Sequence, residues 1–309
     1  MAVPEMLERG YRPAFASGAV AASGALAMLI PPSLMFILYS SITGESVADL
    51  FAGGLVPGLV LAAMMIVYVV LRAKLVPADA PVDPDRFTWR ERLTALGRIS
   101  PALLLILLVL GSIYTGVATP TEAAALGALA AFGVTGAVYR KLGWSNLKRI
   151  LVSTAQVTAA ILAIVGAAFV FTQMLVLARV PDAFTGFIVG LDVPATVIMI
   201  GIMVVLVLLG CLVDAASLLL VVTPILVPAI EELGYDPLWF GVLLVVNLEI
   251  AVITPPVGLN LYTMKSVVPE LDLADIFRGI APYVAIEMLL LAIMIAFPQL
   301  ATWLPGLLS

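Results

Sequence analysis

Two short stretches carry the residue types that can do chemistry: LIPPS, ending at Ser33, and VITPPVGLN, ending at Asn260. Each sets a proline pair, Pro31–Pro32 or Pro255–Pro256, inside strongly apolar sequence. Proline has no N–H and blocks helix continuation, so nearby carbonyls lose their partners. Hydrocarbon offers no water in exchange, and such a break persists where it lines a cavity or holds an ion. Carbonyl oxygens grouped with Ser, Thr and Asn side chains suit a hard monovalent cation such as Na⁺. Half-helix N-termini carry partial positive charge and suit a carboxylate. The first stretch offers Ser23, Gly24, Pro31, Pro32 and Ser33, and the second Asn247, Thr254, Pro255, Pro256, Gly258 and Asn260. Read alone, either pair is equally a kink in a packing helix with no site.

A third stretch, GCLVDAASLLLVVTPILVP, puts Asp214 in an apolar run, where a carboxylate is costly and a functional role is the default expectation. Gly210, Ala215, Ala216 and Ser217 around it permit close backbone approach, as at the tip of a re-entrant hairpin. The competing reading is a helix-capping Asp in a turn between two spans. Na⁺ is therefore expected at Thr254 and Gly258 with Asp214, and at Ser23 and Ser33. Glu249 adjoins a break and reads as functional; Glu287 lacks a motif and reads as a packing or interface residue. Thr119-Pro120-Thr121-Glu122 reads as an N-cap, a first-turn proline and a first-turn acid. With no histidine, the commonest proton relay and metal ligand is missing. The single cysteine, Cys211, reads as a buried inert thiol.

The elements that must position these residues follow from composition. The 309 residues are 63% hydrophobic and 11% charged, whereas charged residues make up about a quarter of a soluble domain. Apolar segments lie at 14–42, 50–72, 99–116, 121–139, 150–178, 194–213, 215–230, 238–264 and 279–303. Several reach roughly the 20 residues that cross a bilayer, so the fold class is an all-α polytopic membrane protein. Polar connections are expected at 73–98, 140–149, 179–193, 231–237 and 265–278. Trp89, Arg90, Arg92, Leu93 and Leu96 form an amphipathic basic arm suited to the membrane surface. Trp89, Trp144, Trp239 and Trp303 lie near segment ends, where interface anchors belong. The net charge of −5 gives no case for a nucleic-acid partner.

Cations cluster at Arg9 and Arg12, at Arg72, Lys74, Arg86, Arg90, Arg92 and Arg98, at Arg140, Lys141, Lys148 and Arg149, and at Lys265 and Arg278. Placing them all inside lets every crossing alternate, with 194–230 entering and leaving on the outside as either a hairpin or two full spans.

The chain also repeats. At a constant offset of 224, Pro4, Gly10, Tyr11, Pro13, Pro31 and Pro32 meet Pro228, Gly234, Tyr235, Pro237, Pro255 and Pro256. After a two-residue insertion, ADLFAGG at 48–54 meets ADIFRGI at 274–280. Four single crossings separate the two broken segments, so the copies are inverted, the plan on which secondary transporters build midplane sites. By this division 1–72 is the C-terminal part of a first repeat, 73–98 a cytoplasmic linker and arm, and 99–309 a second repeat. The second copy is preceded by three spans and the 194–230 excursion, the first by two residues. Roughly 110–130 residues of an inverted-repeat partner are thus expected ahead of Met1 if the halves are built alike.

The stretches GYRPAFASGAVAASGALAMLIPPS, GVATPTEAAALGALAAF and DPLWFGVLLVVNLEIAVITPPVGLNLY resemble the large membrane subunit of tripartite ATP-independent periplasmic (TRAP) transporters. The resemblance covers essentially the whole chain. It implies Na⁺-coupled uptake of organic acids across the bacterial inner membrane, with a periplasmic substrate-binding protein and a small four-helix membrane subunit as partners. It also implies an elevator-type movement, with 194–230 as a hairpin and 14–42 and 238–264 as the broken helices. A stand-alone carboxylate carrier of the same architecture is the alternative. A subunit of a proton-pumping or redox complex would need intramembrane Lys and His, and here no Lys lies deep in a span and no His exists.

Overall fold

The computed structural model describes residues 2–81, 88–140, 142–256 and 258–308. Arg86, Lys141 and Val257, and the side chain of Arg98, lie outside the described residues. The chain divides into two compact units, Met1–Asp83 with Val170–Ser309, and Pro84–Phe169.

The larger unit opens with α1 (Ala2–Glu8), α2 (Pro13–Ala25), a 3₁₀ turn (Leu26–Met28), α3 (Leu34–Thr43) and α4 (Val47–Leu75). The smaller unit holds α5 (Trp89–Tyr114), α6 (Pro120–Gly133), a π-turn (Val134–Val138) and most of α7 (Trp144–Leu177). The larger unit resumes with α8 (Val180–Val189), α9 (Ala195–Gly210), α10 (Ala215–Glu232), α11 (Pro237–Ile253), α12 (Leu259–Val267) and α13 (Leu273–Ala296). Two short helices, α14 (Gln299–Thr302) and α15 (Pro305–Leu308), close it. Among the described residues α4, α7, α10 and α13 are long and apolar enough to cross a membrane, and the bent α5 makes a fifth.

In the smaller unit, local chemistry sets the helix ends. Thr88 and Glu91 form a reciprocal capping box on α5, and Thr119 and Glu122 form the same box on α6, with Pro120 at its first position. The Arg92 guanidinium lies 5.2 Å from the Trp89 ring centre on the exposed arm. Between Trp89–Gly97 and Ile99–Tyr114 the axis turns by 50°. Pro101 explains the turn, because its ring displaces the carbonyl four residues back, that of Gly97.

The larger unit is built around α11. Asp236 caps it by accepting from the N–H of Leu238 at 2.7 Å and of Trp239 at 3.3 Å. Every residue from Trp239 to Ile253 is buried, as a helix apolar on all sides must be. Helices α3, α4, α9, α10 and α13 pack around it. The Tyr39 hydroxyl of α3 donates to Pro237 O at 2.7 Å, and Trp239 Nε1 donates to Met294 O of α13 at 3.1 Å. Trp239 is therefore a core residue and not the expected interface anchor. The indole N–H finds its partner inside, whereas Trp89, Trp144 and Trp303 are exposed. Helices α2 and α13 touch backbone to backbone at Gly18 and Gly279, where a Cβ on Gly18 would lie 2.1 Å from Gly279 O.

The connection at 179–193 differs from the sequence expectation. Residues 179–193 are not an irregular polar link: α8 forms there and packs on α10, burying Pro181 and Ile188. Phe184, Ile188 and Leu191 share one face, which outweighs the scattered polar residues. In 194–230, α9 has 16 residues and α10 has 18, so α9 by itself falls short of the roughly 20 that span a bilayer.

The repeat is visible in the backbone. Gly10 and Gly234 both adopt φ +82°, the left-handed conformation that ends a helix, ahead of helices starting at Pro13 and Pro237. Past the breaks, Ser46 caps α4 and Asp272 caps α13, at the positions related by the insertion.

The basic stretch 140–149, whose second half opens α7, should face the cytoplasm. Ser145 is exposed there. With Cys211 replaced by alanine, Ser145→Cys should react with a membrane-impermeant maleimide only after the inner membrane is permeabilised. Labelling in intact cells would reverse the orientation.

Candidate ion and substrate site

Helix α2 runs to Ala25 and passes through the 3₁₀ turn before the chain leaves helical geometry at 29–33. Ser23 and Gly24, expected in broken backbone, lie instead in the last turn of α2, exposed. Ser23 Oγ lies 2.8 Å from Ala19 O and 3.1 Å from Val20 O. Pro31 and Ser33 are buried and Pro32 is exposed. Ser33 is extended (φ −118°, ψ 130°), caps α3, and donates its hydroxyl to Met28 O, closing the break on itself.

The second break is shorter than expected. Helix α11 is intact through Ile253, so Asn247 is helical, and among the described residues only Thr254, Pro255, Pro256 and Gly258 depart. Proline disfavours helical geometry in the residue before it, and that effect reaches back to Thr254 and no further. Thr254 is extended (φ −96°, ψ 130°) and half-buried, and its hydroxyl donates to Ile250 O at 2.5 Å. Pro255 and Pro256 are exposed. The Pro31–Pro32 and Pro255–Pro256 peptide bonds are both cis. Gly258 is buried with φ +48°, and a Cβ there would also crowd Leu261 at 3.0 Å. Asn247 donates through Nδ2 to Met203 O of α9 at 2.8 Å, and its Oδ1 is buried without a partner among the described residues.

The two broken helices meet. A cavity of about 300 Å³ is lined by Val20, Ala21 and Gly24 of α2 and by Asn260, Thr263 and Met264 of α12. It joins one expected residue from each break, Gly24 and Asn260. Pro31, Pro32, Ser33 and Thr254 do not line it. Thr263 was not anticipated. Its signal is the three-residue spacing from Asn260, which puts both polar side chains on one face of α12.

At the hairpin tip, Asp214 is exposed and caps α10, accepting from Ser217 N at 3.0 Å and Ser217 Oγ at 3.2 Å. No hydrogen bond among the described residues links Asp214 to Thr254. Gly210 sits against α11, where a Cβ would come 2.5 Å from Ala251 Cβ. The tip is thereby held one turn before the second break. Glu249 and Glu287 are fully buried, and all four of their carboxyl oxygens lack partners among the described residues. Glu287 is thus an interior residue of the helix packing and not an interface one.

Apolar helices long enough to span a bilayer, together with two shorter helix pairs broken at repeated proline pairs, define a polytopic membrane protein. The family model of the tripartite ATP-independent periplasmic transporter, DctM component, matches residues 1–300, and the chain belongs to that family. It is 34% identical over 308 residues to the C4-dicarboxylate TRAP transporter large permease protein DctM of Pseudomonas aeruginosa, covering 99% of this chain and 71% of that protein. It is 33% identical over 304 residues to the ectoine TRAP transporter large permease protein TeaC of Halomonas elongata, covering 98% of this chain and 70% of that one. With the 2,3-diketo-L-gulonate TRAP transporter large permease protein YiaN of Escherichia coli, identity is 31% over 300 residues, covering 96% of this chain and 69% of that one. The proteins of this family are transporter subunits and not enzymes.

Proposed function

We propose that this chain is the permease subunit of a Na⁺-coupled, binding-protein-dependent symporter that takes up an organic acid across the bacterial inner membrane. The carrying observation is the meeting of the two broken helices at one cavity, with Gly24 on one side and Asn260 on the other. Breaks of this kind supply carbonyl oxygens to a cation and helix ends to a carboxylate. The substrate is a C4-dicarboxylate, a sialic acid or a related carboxylate, in keeping with the C4-dicarboxylate and diketogulonate systems among the relatives. Na⁺ is assigned to Thr254 and Gly258 with Asp214, and to Ser23 and Ser33. A periplasmic substrate-binding protein delivers the acid, a small four-helix subunit completes the membrane part, and an elevator-type displacement carries the site across.

The test is uptake of a radiolabelled C4-dicarboxylate into proteoliposomes holding the complete system. Uptake should require both an inward Na⁺ gradient and the binding protein. Equal uptake with K⁺ in place of Na⁺ would remove the coupling ion. Uptake at full rate without the binding protein would favour the stand-alone carrier.

A further inference from the structure

A second cavity, of about 290 Å³, lies where α2 begins, α4 ends and α13 begins. Its polar walls are Arg12, Arg72, Arg278, Tyr68, Tyr283 and Asp79. Three guanidinium groups face two carboxylates there, the second being Asp275. Asp79 is only 2% exposed. It accepts from Arg12 Nη1 at 3.1 Å and from Arg72 Nε at 2.7 Å, and its carbonyl accepts from Arg12 N at 3.1 Å. Burial works to raise the Asp79 carboxyl, but the hydrogen bonds and charges of the two arginines outweigh it and hold the group below the usual carboxylate range. Asp79 therefore fixes two guanidinium groups while engaging one nitrogen of each.

Two donors are left over. Arg278 has no hydrogen bond or ion pair among the described residues. Tyr283 is 2% exposed, and its hydroxyl is buried without a partner among the described residues. The Tyr68 ring holds it edge-on, at 5.1 Å between centres. A buried hydroxyl without an acceptor is unfavourable, and the Tyr283 side chain lines a cavity walled by cations, the setting that suits an anion's oxygens. Exposed apolar side chains neighbour Arg72 along α4. Val67, Leu71 and Leu75 are exposed on α4 beside Arg72, a strip suited to acyl chains. The cations also belong to the clusters placed on the cytoplasmic side, where anionic headgroups lie.

We propose that this cavity binds the phosphate of an anionic phospholipid, with Tyr283 and Arg278 donating to its oxygens and Arg12 and Arg72, held by Asp79, flanking it. The acyl chains lie along the Val67, Leu71 and Leu75 strip. The bound lipid ties the start of α2, one arm of the first broken helix, to α4 and α13.

The test is lipid titration of the full chain in neutral detergent, followed by native mass spectrometry and thermal unfolding. Phosphatidylglycerol should bind and raise the unfolding temperature, while phosphatidylcholine and inorganic phosphate should do neither. Arg278→Gln loses a charged donor that no other described residue uses, and should weaken the tightest phosphatidylglycerol site by about tenfold or more. Tyr283→Phe should weaken it by a smaller factor and serves as a second reading if the arginine variant elutes abnormally. Unchanged affinity in both variants would overturn the proposal. An equal response to inorganic phosphate would overturn the lipid assignment.

Discussion

Gly279→Ala should lower the unfolding temperature on the order of 10 °C, although it adds one methyl group. A Cβ at Gly279 would lie 1.9 Å from Ala14 O and 2.8 Å from Ala14 C. These are backbone atoms of α2, so no rotamer change makes room, and the two helices must separate. Overpacking a well-filled interior costs about 1–3 kcal/mol, and an obstacle made of backbone belongs at the upper end. For chains of 150–250 residues each kcal/mol shifts the midpoint by about 2–4 °C. The same substitution at Gly201 of α9 meets nothing within 4 Å. There alanine should be neutral or slightly stabilising, because it restricts the unfolded chain and favours the helix. Thermal unfolding of both variants in one detergent makes the comparison. Equal midpoints would show that α2 and α13 do not need the glycine contact. Loss of that contact should also disturb the cavity between the broken helices, since α2 forms one of its walls.

Thr254→Val, in the complete transport system, should raise the Na⁺ concentration for half-maximal uptake by roughly tenfold to a hundredfold. The substitution keeps side-chain volume nearly constant and removes one neutral oxygen. On the proposed reading that oxygen is a cation ligand, and leaving the ion short of it costs about 1–3 kcal/mol. The hydroxyl proton is already engaged with Ile250 O, which points the lone pairs away from α11. Thr254→Ser keeps the oxygen and should keep Na⁺ dependence near the unmodified value. On the same reading, delivery by a periplasmic binding protein docking outside the membrane should survive in both. An unchanged Na⁺ requirement at normal expression would reduce Thr254 to the residue that ends α11.

What sequence alone determined is local or compositional. The charge deficit and the length of the apolar runs required membrane helices, because desolvation and bilayer thickness are properties of segments. The breaks fall at the proline pairs, since proline acts on its own residue, the one before it and the carbonyl four back. That short reach also explains why α2 stays helical through Ser23 and Gly24, and α11 through Asn247. The Thr119–Glu122 cap was legible for the same reason. Matching residues at an offset of 224 announced the repeat, and the matching φ at Gly10 and Gly234 follows from equal local sequence.

Only tertiary structure decided which remote faces meet. Trp239 has the sequence position of an interface anchor, yet its N–H partner lies on α13, and no local pattern reveals that. Residues 180–189 look polar enough for a loop and become a helix because α10 offers a surface to cover. Asp214 in the chain is a carboxylate in an apolar run, while in the fold its oxygen is engaged in capping α10. Gly24 and Asn260 share a cavity only because α2 and α12 pack together. Arg12, Asp79 and Arg278 are scattered along the chain and gather at one cavity. Local rules act over about one helical turn, whereas these sites are made by shape-matched packing between segments far apart in sequence, such as the close approach of Gly279 to Ala14 and Gly18.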